Sequence, residues 1–187
     1  FIDPFFNPTH HVVTHGIVKA VPNGKCYDEY GNEIETDVRV GDKIHFHYLS
    51  TMSEDSCVYG NYYRVPYCWI FCVVRGNDII PIGGWTLCEK VNEEAEEYEK
   101  VEVQGVQVSA KVSSSGLVTT VNQKPSTKFA VLKYIGKPLK NESKIDVNIG
   151  EKVLLENGCN FENFIEGKTY YTVRQSNIIG KANTFVQ

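Results

Sequence analysis

Long apolar runs are missing from this chain of 187 residues. None approaches the roughly 18 consecutive apolar residues that a membrane-spanning helix needs. The longest, Val65 to Val74, is broken by Pro66 and rich in aromatic and β-branched residues, so it reads as a buried strand. No membrane partner is expected. A basic excess is missing too: the net charge is −4 and the 19 Lys and Arg residues are scattered, whereas a nucleic-acid surface needs a concentrated positive footprint. The start, Phe1-Ile2-Asp3-Pro4, has no basic segment ahead of an apolar core, so no secretory leader is expected. Without an initiator Met, Phe1 is not expected to be the first residue translated.

Catalytic and metal-binding patterns are scarce as well. The six cysteines (Cys26, Cys57, Cys68, Cys72, Cys88 and Cys159) crowd ahead of residue 90 except for one. They read as reduced, separately packed thiols of a cytoplasmic protein rather than as a disulfide framework. Cys68 and Cys72, four apart in a strand, share a face and are assigned to the core. His10, His11, His15, His45 and His47 form no ligand-like pair with a Cys-x-x-Cys or His-x-x-x-His turn, so no metal is expected. No Cys stands in a nucleophile motif, and Gly83-Gly84 fits neither phosphate-binding glycine pattern. The chain reads as a non-enzyme without cofactors.

Helical periodicity is confined to the acidic stretch Asn92 to Lys100. Strand signals are abundant: Val12-Val13, Ile17 to Val21, Lys43 to Leu49, Tyr67 to Val74, Trp85 to Val91, Val101 to Val108, Gly116 to Val121, Phe129 to Ile135, Lys152 to Leu155 and Lys168 to Val173. They are short, β-branched or aromatic, and bounded by Gly, Pro, Asn or Asp, which predicts an all-β barrel or sandwich.

Three blocks recur in one order. Gly16-Ile17-Val18-Lys19-Ala20-Val21 is matched with Gly116 to Val121 at an offset of 100, Asp37-Val38-Arg39-Val40-Gly41-Asp42-Lys43-Ile44 with Asp146 to Val153 at 109, and Val74-Arg75 through Ile80 with Val173-Arg174 through Ile179 at 99. So long a period predicts two small domains with separate cores, residues 1–82 and 83–187. Trp85 precedes Gly116 by 31 positions while only 15 precede Gly16, so the first copy is expected to lack its opening strand. The Val-Gly-Asp and Ile-Gly-Glu turns are read as turn devices, with a glycine for φ > 0 and an acid left in solvent. The aromatic run Tyr59, Tyr62, Tyr63, Tyr67 and Trp69 is denser than a small core requires; core packing and a docking surface are both open to it.

An opening strand, a polar loop, Gly-x-Val-x-x-Val, an Asp-Val-x-Val-Gly-Asp-x-Ile strand and a Tyr-x-x-Val-Arg-x-Ser-x-Ile-Ile exit together resemble the GroES-type co-chaperonin family. The second copy carries the resemblance from Trp85 to Ala182, and the first from about Thr14 to Ile82 with an insertion from Ser50 to Tyr63. The resemblance implies two tandem small GroES-like β-barrels. It further implies a homo-oligomeric ring that caps a chaperonin ring and assists protein folding, through a mobile loop with a hydrophobic tripeptide at its tip. Glu99 to Ser115 stands in that place, with Val106-Gln107-Val108 after Gly105 as the candidate contact. The same residues alternate, so a half-buried hairpin is equally open. A rival reading keeps the barrels but not the chaperonin: a structural assembly protein of a viral capsid or tail, which would place the chain in a virion.

Overall fold

β-Branched and aromatic segments punctuated by glycine build the described part of the chain from strands and 3-10 turns, with no α-helix among the described residues. The structure is a computed structural model that describes residues 12–23, 26–27, 31–52, 56–92, 99–103, 106–112, 118–120, 125–139 and 144–182. The first half contributes β1 (His15–Ile17), β2 (Cys26–Tyr27), β3 (Glu33–Ile34), β4 (Lys43–Phe46), β5 (Cys57–Tyr59), β6 (Tyr62–Tyr63), β7 (Ile70–Arg75) and β8 (Asp78–Pro81). The second contributes β9 (Trp85–Asn92), β10 (Glu99–Val103), β11 (Val106–Val112), β12 (Val118–Thr120), β13 (Pro125–Ile135), β14 (Lys152–Leu155), β15 (Phe161–Ile165), β16 (Lys168–Arg174) and β17 (Ile178–Lys181). Sheets run in the orders β1-β4-β7-β8 and β15-β16-β9-β13-β14-β17, with a smaller sheet β10-β11-β12 and the hairpins β2-β3 and β5-β6.

The Asp-Val-x-Val-Gly-Asp block folds alike in both halves. Gly41 and Gly150 have φ of 93° and 92°, a region that disfavours any Cβ. Asp42 and Glu151 each donate a backbone N–H to the residue three before, Arg39 and Asn148, at 3.1 Å. Each acid then accepts that residue's N–H through its carboxylate at 2.7 Å. The turn glycines donate to Val18 and Leu132. The expected exposure of the acid does not hold for Asp42. Two bonds of 2.8 Å from Arg75 fold over it and allow its burial, and that pairing holds its carboxyl below the usual range.

Register corrects the other two repeat blocks. Ile17 pairs with Lys43 as Val131 pairs with Lys152, and Gly16 with Ile44 as Ala130 with Val153. The counterpart of Gly16 to Val21 is therefore Ala130 to Ile135, not Gly116 to Val121. Likewise Phe46 pairs with Ile70 as Leu155 with Ile178, each beside a bulge. His47 and Glu156 donate to the carbonyls of Trp69 and Asn177, both at 2.9 Å. The 3-10 turn Tyr67–Trp69 thus corresponds to Gln175–Asn177 and β7 to β17, whereas the sequence matched Arg75 with Arg174. Short Val-x-x-Val and Ile-Ile patterns recur too often to fix an offset.

Each half has a core of matching members. Val18, Ile44, Phe46 and Ile70 cluster in the first, and Leu132, Val153, Leu155 and Ile178 in the second. A third cluster lies between them, where Cys72 and Val74 of β7 meet Leu87, Ile165 and Tyr170. This explains the continuous apolar run of β7, which buries both faces. Cys72 belongs to it, and burial pushes its thiol up to about 12. Cys68 instead sits in the 3-10 turn, not on a shared strand face.

Backbone bonds knit the start of the second half, and side chains reach from there to the first. Gly136 donates to the Trp85 carbonyl, Gly84 to Lys137, and Gln175 to Gly84. Trp85 Nε1 and the Arg174 guanidinium donate to the Cys68 carbonyl at 3.1 and 2.8 Å, with Arg174 also stacked on the Trp85 ring. A Cβ on Gly136 would stand 2.8 Å from the carbonyl oxygens of both Pro81 and Trp85. Gly136→Ala is therefore expected to cost about 2–4 kcal/mol in urea unfolding; an unchanged midpoint would show that the junction yields.

Candidate functional site

β9 and β13 are neighbours in the large sheet, and Asn92 at the end of one pairs with Pro125 at the start of the other. The chain between them therefore leaves and re-enters the sheet at one point. Within that excursion β10 and β11 pair antiparallel, Val103 opposite Val106, Glu102 opposite Gln107 and Val101 opposite Val108, and β12 adds to β11. Of the two readings left open for Glu99 to Ser115, the backbone takes the hairpin over 99–103 and 106–112. Gly105 and residues 113–115 lie outside the described residues. So do residues 93–98 of the expected helical stretch, whose ends instead belong to β9 and β10.

Opposed residues of an antiparallel pair share a face, and alternate residues along a strand do too. The register thus places positions 101, 103, 106 and 108, all valine, on one face of the hairpin, and Glu102 with Gln107 on the other.

The aromatic run divides. Tyr59, Tyr62 and Tyr63 are exposed on the β5-β6 hairpin, Tyr67 packs against the first core, and Trp69 is partly exposed beside His47. The sequence singled out these aromatics but not their neighbours across the junction. His47 stacks on Tyr48 at 4.6 Å and meets Phe161 edge-on at 4.8 Å. With Thr14, Phe71, Asn160, Glu162 and Asn163 these residues line a cleft of about 220 Å³ between the halves. Nothing in the spacing of Phe161 announces it, because its partners come from the other half.

Below the cleft a charged clasp crosses the junction. Ile165 pairs with Lys168, so Glu166-Gly167 is a two-residue turn with φ of 45° and 85°, a type I′ geometry. Glu166 is the one described non-glycine residue with φ > 0. Its carboxylate bonds to Lys43 and lies 3.7 Å from His45 Nε2, and Lys43 holds it below the usual carboxylate range. His45 is buried, with the His15 ring stacked at 5.6 Å. Burial first, then the neighbouring His15 and Lys43, push the His45 imidazole down to about 4, with Glu166 opposing. Burial lowers His47 as well. Among the described residues no three His, Cys, Asp or Glu side chains gather as a metal site, and His10 and His11 lie outside them.

A base whose folded pKa is depressed binds fewer protons folded than unfolded, so stability falls as pH drops from the ordinary imidazole range towards 4. His45→Leu, which copies Leu154 in the corresponding register of β14, should flatten the fall in melting temperature between pH 6.5 and 4 relative to the parent. An identical slope in the variant would relieve His45 of that role.

Residues 97–182 match the family model of the chaperonin 10 Kd subunit. No curated protein matches the chain. The matched stretch runs from just ahead of β10 through β17 and takes in the excursion, the Gly150 turn and the β15-β16 hairpin. Its all-β architecture agrees with the family's β-barrel. Members of the family are non-enzymatic co-chaperonins that partner chaperonin rings and oligomerise. Over this stretch of its second half the chain is similar to the GroES-type co-chaperonin family.

Proposed function

We propose that the chain is a divergent co-chaperonin made of two copies of one small barrel, residues 1–82 and 83–187, which assembles into a ring and caps a chaperonin ring to assist protein folding. The observation that carries this reading is the match of residues 97–182 to the chaperonin 10 Kd subunit. The shared turn hydrogen bonds at Gly41 and Gly150 and the shared registers of β4 and β14 speak for two copies. The chaperonin contact is assigned to the excursion between β9 and β13, to Gly105, Val106, Gln107 and Val108, with Val106 and Val108 as the apolar residues that dock. One such contact is weak, and a ring of them binds tightly because each further contact is intramolecular.

Co-sedimentation with a double-ring chaperonin, with and without ATP or ADP, tests the reading. Nucleotide-dependent binding is expected, weakened about tenfold or more by Val106→Asp with Val108→Asp. Gln107→Leu separates two modes of docking: unchanged affinity for a hairpin that presents its valine face, tighter binding for a segment that inserts 106–108 as a whole. Sedimentation of the free protein should show species larger than a monomer, and a monomer at every concentration would remove the ring. If the chaperonin is ignored while the protein still assembles, the second reading takes over. That reading is a structural component of a capsid or tail, favoured by the exposed tyrosines of the β5-β6 hairpin.

A further inference from the structure

The two ends of β16 are fastened by different chemistry. At its close Arg174 donates to the carbonyls of Gly83 and Cys68, at 2.6 and 2.8 Å, and the Gln175 backbone donates to Gly84. Those acceptors are carbonyls, which carry no titrating proton. At its start the Glu166-Gly167 turn reaches Lys43 on the first half, and Glu166 lies 3.7 Å from His45 Nε2, longer than a hydrogen bond. The strand between these ends has seven residues, about 20 Å of extended chain.

The antiparallel pairs His15 with His45, His45 with Cys72 and Lys43 with Val74 put these side chains on one face of the first sheet. That face meets Leu87, Ile165 and Tyr170, with Cys72 and Val74 in the shared cluster. The groups around His45 are therefore His15 from β1, Lys43 from its own strand, Cys72 from β7 and Glu166 from the turn. Burial raises the Cys72 thiol to about 12, so it stays neutral. A proton placed on His45, which is 3% exposed, enters a site almost closed to water. It meets the Lys43 ammonium there, and Glu166 alone of the four groups draws it in.

We infer that the junction is hinged at Arg174 and latched at Glu166: charging of His45 in acid lifts the β15-β16 turn from the first half and opens the cluster beneath it, while the bonds around Arg174 hold. Three features make the turn the part that yields. β15 is the outermost described strand of its sheet. Glu166 holds φ of 45°, a strain for a residue with a Cβ that release relieves. Its ion pair with Lys43 joins two partly exposed groups and resists little. The closed imidazole is depressed to about 4, so opening takes up a proton as pH falls from the ordinary imidazole range towards that value. Lys43 holds Glu166 below the usual carboxylate range, so the latch keeps its own charge over most of the window. The device requires neither chaperonin binding nor a ring.

Thiol access tests it. Cys72 lies under the turn and Cys88 in the second core, both 0% exposed and both raised to about 12 by burial. The full chain is treated with a dipyridyl disulfide, a reagent that labels thiols in acid, and each cysteine is followed by peptide mass spectrometry. Labelling tracks the population of the open form. Between pH 6.5 and 4.5 the rate at Cys72 should rise about tenfold or more relative to Cys88. His45→Leu should keep that ratio flat, and His45→Gln, uncharged at every pH, should do the same if the leucine variant does not fold. Glu166→Gln should raise Cys72 labelling already at neutral pH. Equal acceleration at both cysteines is global unfolding and overturns the inference. An unchanged rate at Cys72, or an acceleration there that both His45 variants keep, overturns it as well.

Discussion

At Gly136 backbone packs on backbone, with a Cβ position there only 2.8 Å from the carbonyl oxygens of both Pro81 and Trp85. The approach of Gly136 to Pro81 sets the second half against the end of the first. It brings Gly84 to Lys137 and Gln175 to Gly84, and the buried Gln175 side chain then donates to the Gly136 carbonyl at 2.7 Å. Arg174 closes the arrangement by donating to Gly83 and Cys68 while its guanidinium lies 4.3 Å from the centre of the Trp85 ring. Directional bonds to buried carbonyls fix an angle in a way that apolar contact alone does not, because an unmade bond there leaves a desolvated acceptor. The apolar cluster of Cys72, Val74, Leu87, Ile165 and Tyr170 then fills the space so defined.

The charged clasp works in the opposite sense. Glu166 adopts a left-handed backbone that costs a side-chain-bearing residue about 1–2 kcal/mol, and its carboxylate is solvent-accessible, so its pairing with Lys43 is a modest return. What the turn does secure is position: it aims one negative charge at the buried His45 on the other half. The two devices differ in dependence on conditions, since carbonyl bonds are indifferent to pH and the imidazole is not.

Legibility in the sequence followed the locality of the interaction. The Gly41 and Gly150 turns were readable because glycine, acid and strand are contiguous, and Lys152–Leu155 was placed to the residue. Asp42 was misjudged as solvent-facing because its partner Arg75 stands 33 residues away. The expected strand from Tyr67 was cut short by a 3-10 turn over Tyr67–Trp69, whose last carbonyl is claimed by His47. The hairpin at Glu99–Val103 and Val106–Val112 and a free loop share one alternating pattern, so composition could not choose between them. Of the aromatic run, the sequence could count the rings but not tell which of them a neighbouring strand would cover.

The strand order carries a consequence for synthesis. β9 leaves the ribosome with a buried-type surface, yet one flank is covered only when β13 has appeared and the other only when β16 has, up to Arg174. Such long-range pairing is slow, and an unpaired apolar strand is open to misassociation while it waits. Cys68 in the first half likewise receives its Arg174 bond only then. A nascent chain halted before residue 174 therefore exposes the same kind of edge that chaperones exist to shield, so the molecule depends on its own last strands for release from that state.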